Sequence, residues 1–136
     1  MRVVLDTNVV IAAFASRGLC AEVFEACLAE HTIVTSPHIL EEVKEKLLLK
    51  LRIPGSAADN IISYLTSVSE VFKHMELAEP VCRDKDDDRI IGAAIAGKAQ
   101  VIITGDSDLL VLKKHGKIKI VSPRDFWKLL RKSGDK

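Results

Sequence analysis

RDKDDDRIIGAAIAGKAQVIITGDSDLL, residues 83–110, runs from charge into a helix, from the helix into a strand, and from the strand back into acids. Ile90, Ile91, Ala94 and Ile95 recur at helical spacing, and QVIIT (100–104) is a short β-branched run that stops at Gly105 and Asp106. The chain opens on the same grammar. VVLD (3–6) is an apolar strand ending at Asp6, and TNVVIAAF (7–14) follows as a helix that Thr7 or Asn8 can cap. Between these two units lie the helical pattern CAEVFEACLAE (20–30), the strand TIVT (32–35) and a helix led by Ser36 and Pro37. Leu40, Val43, Leu47 and Leu51 form the stripe of that helix; SAADNIISYLTSV (56–68) is a further helix and EVFKH (70–74) a strand candidate. After the opening stretch come a short helix from Asp108 to Lys114 closing at Gly116, a strand KIKIV (117–121), and a last helix led by Ser122 and Pro123.

Strands and helices alternate throughout, which implies βαβ units with right-handed crossovers. The expected fold is a three-layer α/β/α sandwich with a mainly parallel central sheet of four to five strands, a single domain over residues 1–136 that includes the basic segment 113–136. With 136 residues the chain can bury roughly 68% of its unfolded surface. Aromatics make up only 4% of a chain that is 48% hydrophobic, so the core is aliphatic, as buried parallel strands prefer.

Cys20, Cys27 and Cys82 are an odd number without a CxxC, which reads as reduced thiols in a cytoplasmic protein. Met1 leads straight into a strand and no apolar run approaches about 18 residues, so no membrane partner is expected. The net charge of +1 conceals an asymmetry: residues 113–136 carry nine Lys/Arg against Asp125 and Asp135, leaving residues 1–112 at −6. The acidic part needs cations, and the basic segment suits a polyanion.

Sites in open α/β sheets form beyond the carboxyl ends of the strands. Asp6 ends the first strand, Asp106 and Asp108 follow VIIT, and Asp84 to Asp88 open the helix leading into it. Singly, each acid could cap a helix or polarise a turn. Gathered on one rim, they repel one another, and a divalent cation relieves that. Mg²⁺ suits hard carboxylate oxygens, and such an ion activates water and offsets charge on a phosphodiester. Other chemistries lack support. His31, His38, His74 and His115 have no paired zinc spacing, and GxGxxG, Walker and GxSxG patterns are absent. Phe126 and Trp127 read as packing anchors on the last helix.

VVLDTNVVIAAF, SPHILEEVKEKL, DDDRIIGAAIAG and VIITGDSDLL, in that order, resemble the PIN domain, a nuclease fold, and most of all its small stand-alone members from VapBC-type toxin–antitoxin pairs. The resemblance implies catalytic acids at Asp6, Glu42, Asp88 and Asp106, the same four holding Mg²⁺ or Mn²⁺ with Asp108 as an additional ligand. Thr7, Asn8 and Thr104 match the small polar positions that orient those carboxylates or the water of the centre. Two assignments rest on the resemblance alone. Glu41 and Glu42 lie about equally far from the apolar stripe, at roughly 100° per residue. Asp87 leads to Ile90, Ile91 and Ala94 while Asp88 leads to Ile91, Gly92 and Ile95, so either could look along the buried face. Asp84, one turn before Asp88, is open between ligand and cap.

The implied activity is metal-dependent endoribonuclease cleavage of single-stranded or looped RNA, with a cognate antitoxin as partner and self-association into a homo-oligomer. Two alternatives remain: a housekeeping PIN nuclease for RNA processing, or a catalytically idle PIN module that binds RNA or protein. A full set of mutually repelling acids speaks against idleness.

Overall fold

The structure, a computed structural model, describes residues 1–134; Asp135 and Lys136, the end of the basic segment, lie outside the described residues. Its elements run β1 (Arg2–Leu5), α1 (Thr7–Ala15), α2 (Leu19–Glu30), β2 (Thr32–Thr35), α3 (Pro37–Leu49), α4 (Gly55–Val68) and β3 (Ser69–Val71). Next come α5 (Lys85–Ala96), β4 (Val101–Ile103), α6 (Ser107–Leu110), β5 (Lys114–His115), β6 (Ile118–Val121) and α7 (Pro123–Gly134).

The strands form one sheet in the order β3-β2-β1-β4-β6-β5. All pairings are parallel except β5 with β6, so the sandwich is α/β/α around a mainly parallel sheet. There are six strands rather than the four or five expected. The extra one is β5, a two-residue strand where the sequence pattern continued a helix to Lys114. Lys113 and Gly116 both take positive φ, 62° and 59°, which ends the helical turn and folds Lys114–His115 back on β6.

The central strands carry runs buried on both faces: Val3, Val4 and Leu5 in β1 and Val101, Ile102 and Ile103 in β4. This is the continuous apolar pattern of parallel strands covered on both sides. Helix α1 packs on both α2 and α3, and α3 on α4, whereas α5 lies across β1, β2 and β4. Ser36 caps α3 by accepting from the Ile39 N–H at 3.2 Å with Pro37 in the first turn, as the Ser-Pro pair dictates.

Strand order reverses at β1. From it the chain builds outward through β2 and β3, then returns to add β4 on the other side. Loops leaving adjacent strands in opposite directions open a crevice, here at the carboxyl ends of β1 and β4. Asp6 and Thr104 are the residues standing there.

Candidate metal centre

Asp6 is both the end of β1 and the N-cap of α1. Its N–H continues the ladder to the Ile103 carbonyl at 2.9 Å, while one side-chain oxygen accepts from the Thr7 N–H at 2.7 Å and the other from Thr104 Oγ1 at 2.6 Å. The residue is 7% exposed, and burial raises its pKa above the ordinary value despite these hydrogen bonds. Thr104, fully buried, also accepts from the Asp106 N–H at 3.0 Å, so one hydroxyl ties the two strand-end acids together. Asp106 in turn caps α6 by accepting from the Asp108 N–H at 2.9 Å.

Glu42 enters from α3. Its Oε1 accepts from Thr7 Oγ1 at 2.9 Å, whereas Glu41 is exposed on the outer side of the same helix. Burial, with Asp86 adding repulsion, raises the Glu42 pKa. Asn8 turns outward and takes Lys46 Nζ at 2.7 Å.

The start of α5 corrects the sequence reading. Asp88 does not join the other acids. Its carboxylate accepts from the backbone N–H groups of Val81 and Cys82, the latter at 2.8 Å, and so pins the preceding loop to the outer side of the helix. Asp87 takes the place expected of Asp88: it is 8% exposed and lines one cleft with Asp6, Thr7, Glu42, Asp84 and Asp106. The reason is the phase of α5. Gly92 presses against the loop, its carbonyl accepting from the Met75 N–H at 3.0 Å, and a Cβ built there would stand 2.1 Å from the Met75 oxygen. Asp88 lies one turn before Gly92, hence on the loop face, and Asp87 is rotated by about 100° toward the strand ends. Asp84 is the N-cap of α5, accepting from the Asp86 N–H at 2.9 Å, and also lines the cleft.

Burial together with the Asp106, Asp6 and Asp84 carboxylates pushes the Asp87 pKa up to about 7. A carboxyl group held that far above its ordinary range is one whose ionised form wants a cation. Oxygens of Asp87, Asp106 and Asp108 fall within 4.8 Å of one another, although Asp108 is also paired with Arg83 Nη2 at 2.9 Å. The donor set is therefore all hard oxygen and fits a divalent ion of the Mg²⁺ or Mn²⁺ type. Lys46 is the only cation lining the cleft among the described residues.

Sequence spacing leaves Asp87 and Asp88 equal and the resemblance points to Asp88, while His38 shows no paired zinc spacing. The signal for Asp87 was Gly92: a lone glycine in an alanine-rich helix marks close backbone approach, and its face is not free to meet a site. His38 carries no spacing motif; it meets Asp86 only because α3 and α5 start side by side.

A model of the PIN domain matches residues 2–108 of the chain. An uncharacterized protein of Methanocaldococcus jannaschii is 34% identical, over 93% of this chain and 89% of that protein. The crystal structure of VapBC2 from Rickettsia felis bound to a DNA fragment from their promoter is similar in fold, with a TM-score of 0.64 over 90% of this chain and 98% of that chain, at 16% identity.

Proposed function

The chain belongs to the PIN domain family, and from that premise we propose that it is a metal-dependent endoribonuclease whose centre is built on Asp6, Asp87, Asp106 and Glu42. The observation that carries this reading is the convergence of Asp6, Glu42, Asp87 and Asp106 in one cleft, where burial and the neighbouring acids push the Asp87 carboxyl up to about 7. An idle scaffold gains nothing from such repulsion.

Asp6, Asp87 and Asp106 would hold Mg²⁺ or Mn²⁺, with Glu42, Asp84 and Asp108 at the margin of the cleft. When bound, the ion supplies a nucleophile from water at neutral pH and offsets the charge that builds on the phosphodiester. The chain's part is positioning. Thr104 and the Thr7 N–H hold both oxygens of Asp6, and the Thr7 hydroxyl holds Glu42, so these two carboxylates are oriented before any ion binds. Lys46, tethered to Asn8, adds positive charge at the rim where a phosphate must enter.

Backbone binding falls to the basic segment, which we include in the same domain. Arg124, Lys128, Arg131 and Lys132 flank a groove with Trp127 on α7, and their phosphate contacts make affinity salt-dependent. The helix itself is anchored by Phe126, which is fully buried, and packs on α2.

The likeness to VapBC2 supports reading the chain as a toxin of a toxin–antitoxin pair rather than a housekeeping nuclease; a cognate antitoxin over the acidic rim, a homo-oligomeric state and a cytoplasmic setting complete the proposal and rest on the family resemblance. Co-expression tests this. Growth arrest by the wild type, absent with Asp87→Asn and relieved by a co-purifying small partner, is the expected result; cleavage activity without arrest favours RNA processing.

A further inference from the structure

Beside the acidic centre stands a mixed donor set that the acids alone do not account for. His38, in the first turn of α3, aims Nε2 between two carboxylates, 3.1 Å from Asp86 Oδ1 and 3.7 Å from Glu42 Oε2. That nitrogen is shut off from solvent, and neither carboxylate contact has hydrogen-bond alignment, an arrangement native structures rarely leave without a reason. One ligand atom from each of His38, Glu42 and Asp86 lies within 4.8 Å of the others.

The spacings have a meaning. A first-row ion binds nitrogen and oxygen at about 2.0–2.2 Å, so neighbouring ligands around it stand about 3 to 3.5 Å apart. The two separations at His38 sit close to that range. Glu42 is held through its other oxygen by Thr7, which leaves Oε2 turned to His38, and Arg89 Nη1 steadies the Asp86 oxygen at 3.3 Å. His74 meets the His38 ring edge to face, with centroids 5.9 Å apart, and limits its rotation.

We propose that His38, Glu42 and Asp86 form a second cation position, next to the Asp6–Asp87–Asp106 centre, that selects a first-row transition ion such as Co²⁺ or Zn²⁺ over Mg²⁺. It rests on the nuclease reading only through Glu42, which both positions share. Imidazole is the selecting ligand, because Mg²⁺ favours carboxylate and water oxygens whereas the later first-row ions take nitrogen readily. In the bound state the ring would offer its Nε2 lone pair to the ion, as an imidazole ligand does.

The test is calorimetric titration of the whole metal-free protein with Co²⁺ and, separately, Mg²⁺, joined to proton spectra of the paramagnetically shifted imidazole. His38→Gln is expected to weaken Co²⁺ binding about tenfold or more and to abolish one shifted ring, with Mg²⁺ binding kept as proof of folding. Asp106→Asn is expected to weaken Mg²⁺ and leave the Co²⁺ signature in place. Unchanged Co²⁺ affinity and shifted resonances in His38→Gln would overturn the proposal and leave His38 as a side chain paired with two carboxylates. Loss of Mg²⁺ binding in the wild type with an intact Co²⁺ result would sink the nuclease centre and leave this position standing.

Discussion

Asp87 and Asp88 are neighbours in the first turn of one helix and serve different structures. Asp87 turns into the cleft with Asp6 and Asp106, and Asp88 turns outward to hold the Val81 and Cys82 amides. One is surrounded by like charge and the other by donors, so the first answers to pH and the second to the integrity of the loop.

Asp87, Asp6 and Glu42 all have folded-state pKa values raised above the ordinary range, Asp87 to about 7. The folded metal-free protein therefore binds more protons than the unfolded chain between about pH 4 and pH 7, and its stability falls as pH rises through that window. The expected melting curves show Tm dropping from about pH 4 to about pH 7 and a larger rise on adding Mg²⁺ at about pH 8 than at about pH 5. Asp87→Asn should flatten much of the slope; an unaltered slope would contradict this assignment of the shift.

Asp88 contributes stability through the loop it holds. Asp88→Ala removes a charged acceptor from two backbone amides and should cost about 1.5–3 kcal/mol in urea unfolding. Burial and the Asp88 carboxylate also push the Cys82 thiol up to about 12, so this partly exposed cysteine should alkylate slowly at about pH 8, and faster at the same pH in Asp88→Ala.

Thr104→Val keeps the shape of the side chain and deletes the hydroxyl shared by Asp6 and Asp106. Metal affinity should fall about 10- to 100-fold, the range for removing a partner that orients a ligand, and calorimetry with Mg²⁺ measures it. A change under about twofold would mean that Asp6 needs no such support.

Gly92→Ala drives a Cβ to within 2.1 Å of the Met75 carbonyl oxygen, a backbone atom that cannot swing aside. The loop from Met75 to Cys82 must shift, at an expected cost of about 1–3 kcal/mol or more. Denaturant unfolding of this variant beside Ala93→Gly separates the clash from helix propensity.

Much of this architecture is legible in the residues. VVLD and VIIT had to be buried parallel strands, because their apolar runs are short and each ends in an acid where a helix begins. Ser36-Pro37 marked its helix to the residue. What stayed hidden depends on contacts between distant segments. The phase of α5 is set by Met75 against Gly92, some 17 positions apart in the chain, so the choice between Asp87 and Asp88 could not be made from local spacing. The motif resemblance shifted the choice by one residue, and one residue on a helix is about 100°. The β5–β6 hairpin was missed for the opposite reason: two residues are too few to show a period.

The most direct measurement is the divalent-dependent cleavage of a panel of RNAs by the wild type, Asp87→Asn and Asp88→Asn, each corrected for its folded fraction. The account predicts a loss on the order of 10²- to 10³-fold in Asp87→Asn and cleavage close to wild type in Asp88→Asn. Loss in Asp88→Asn with activity retained in Asp87→Asn, or no cleavage by the wild type with Mg²⁺ or Mn²⁺, would contradict it.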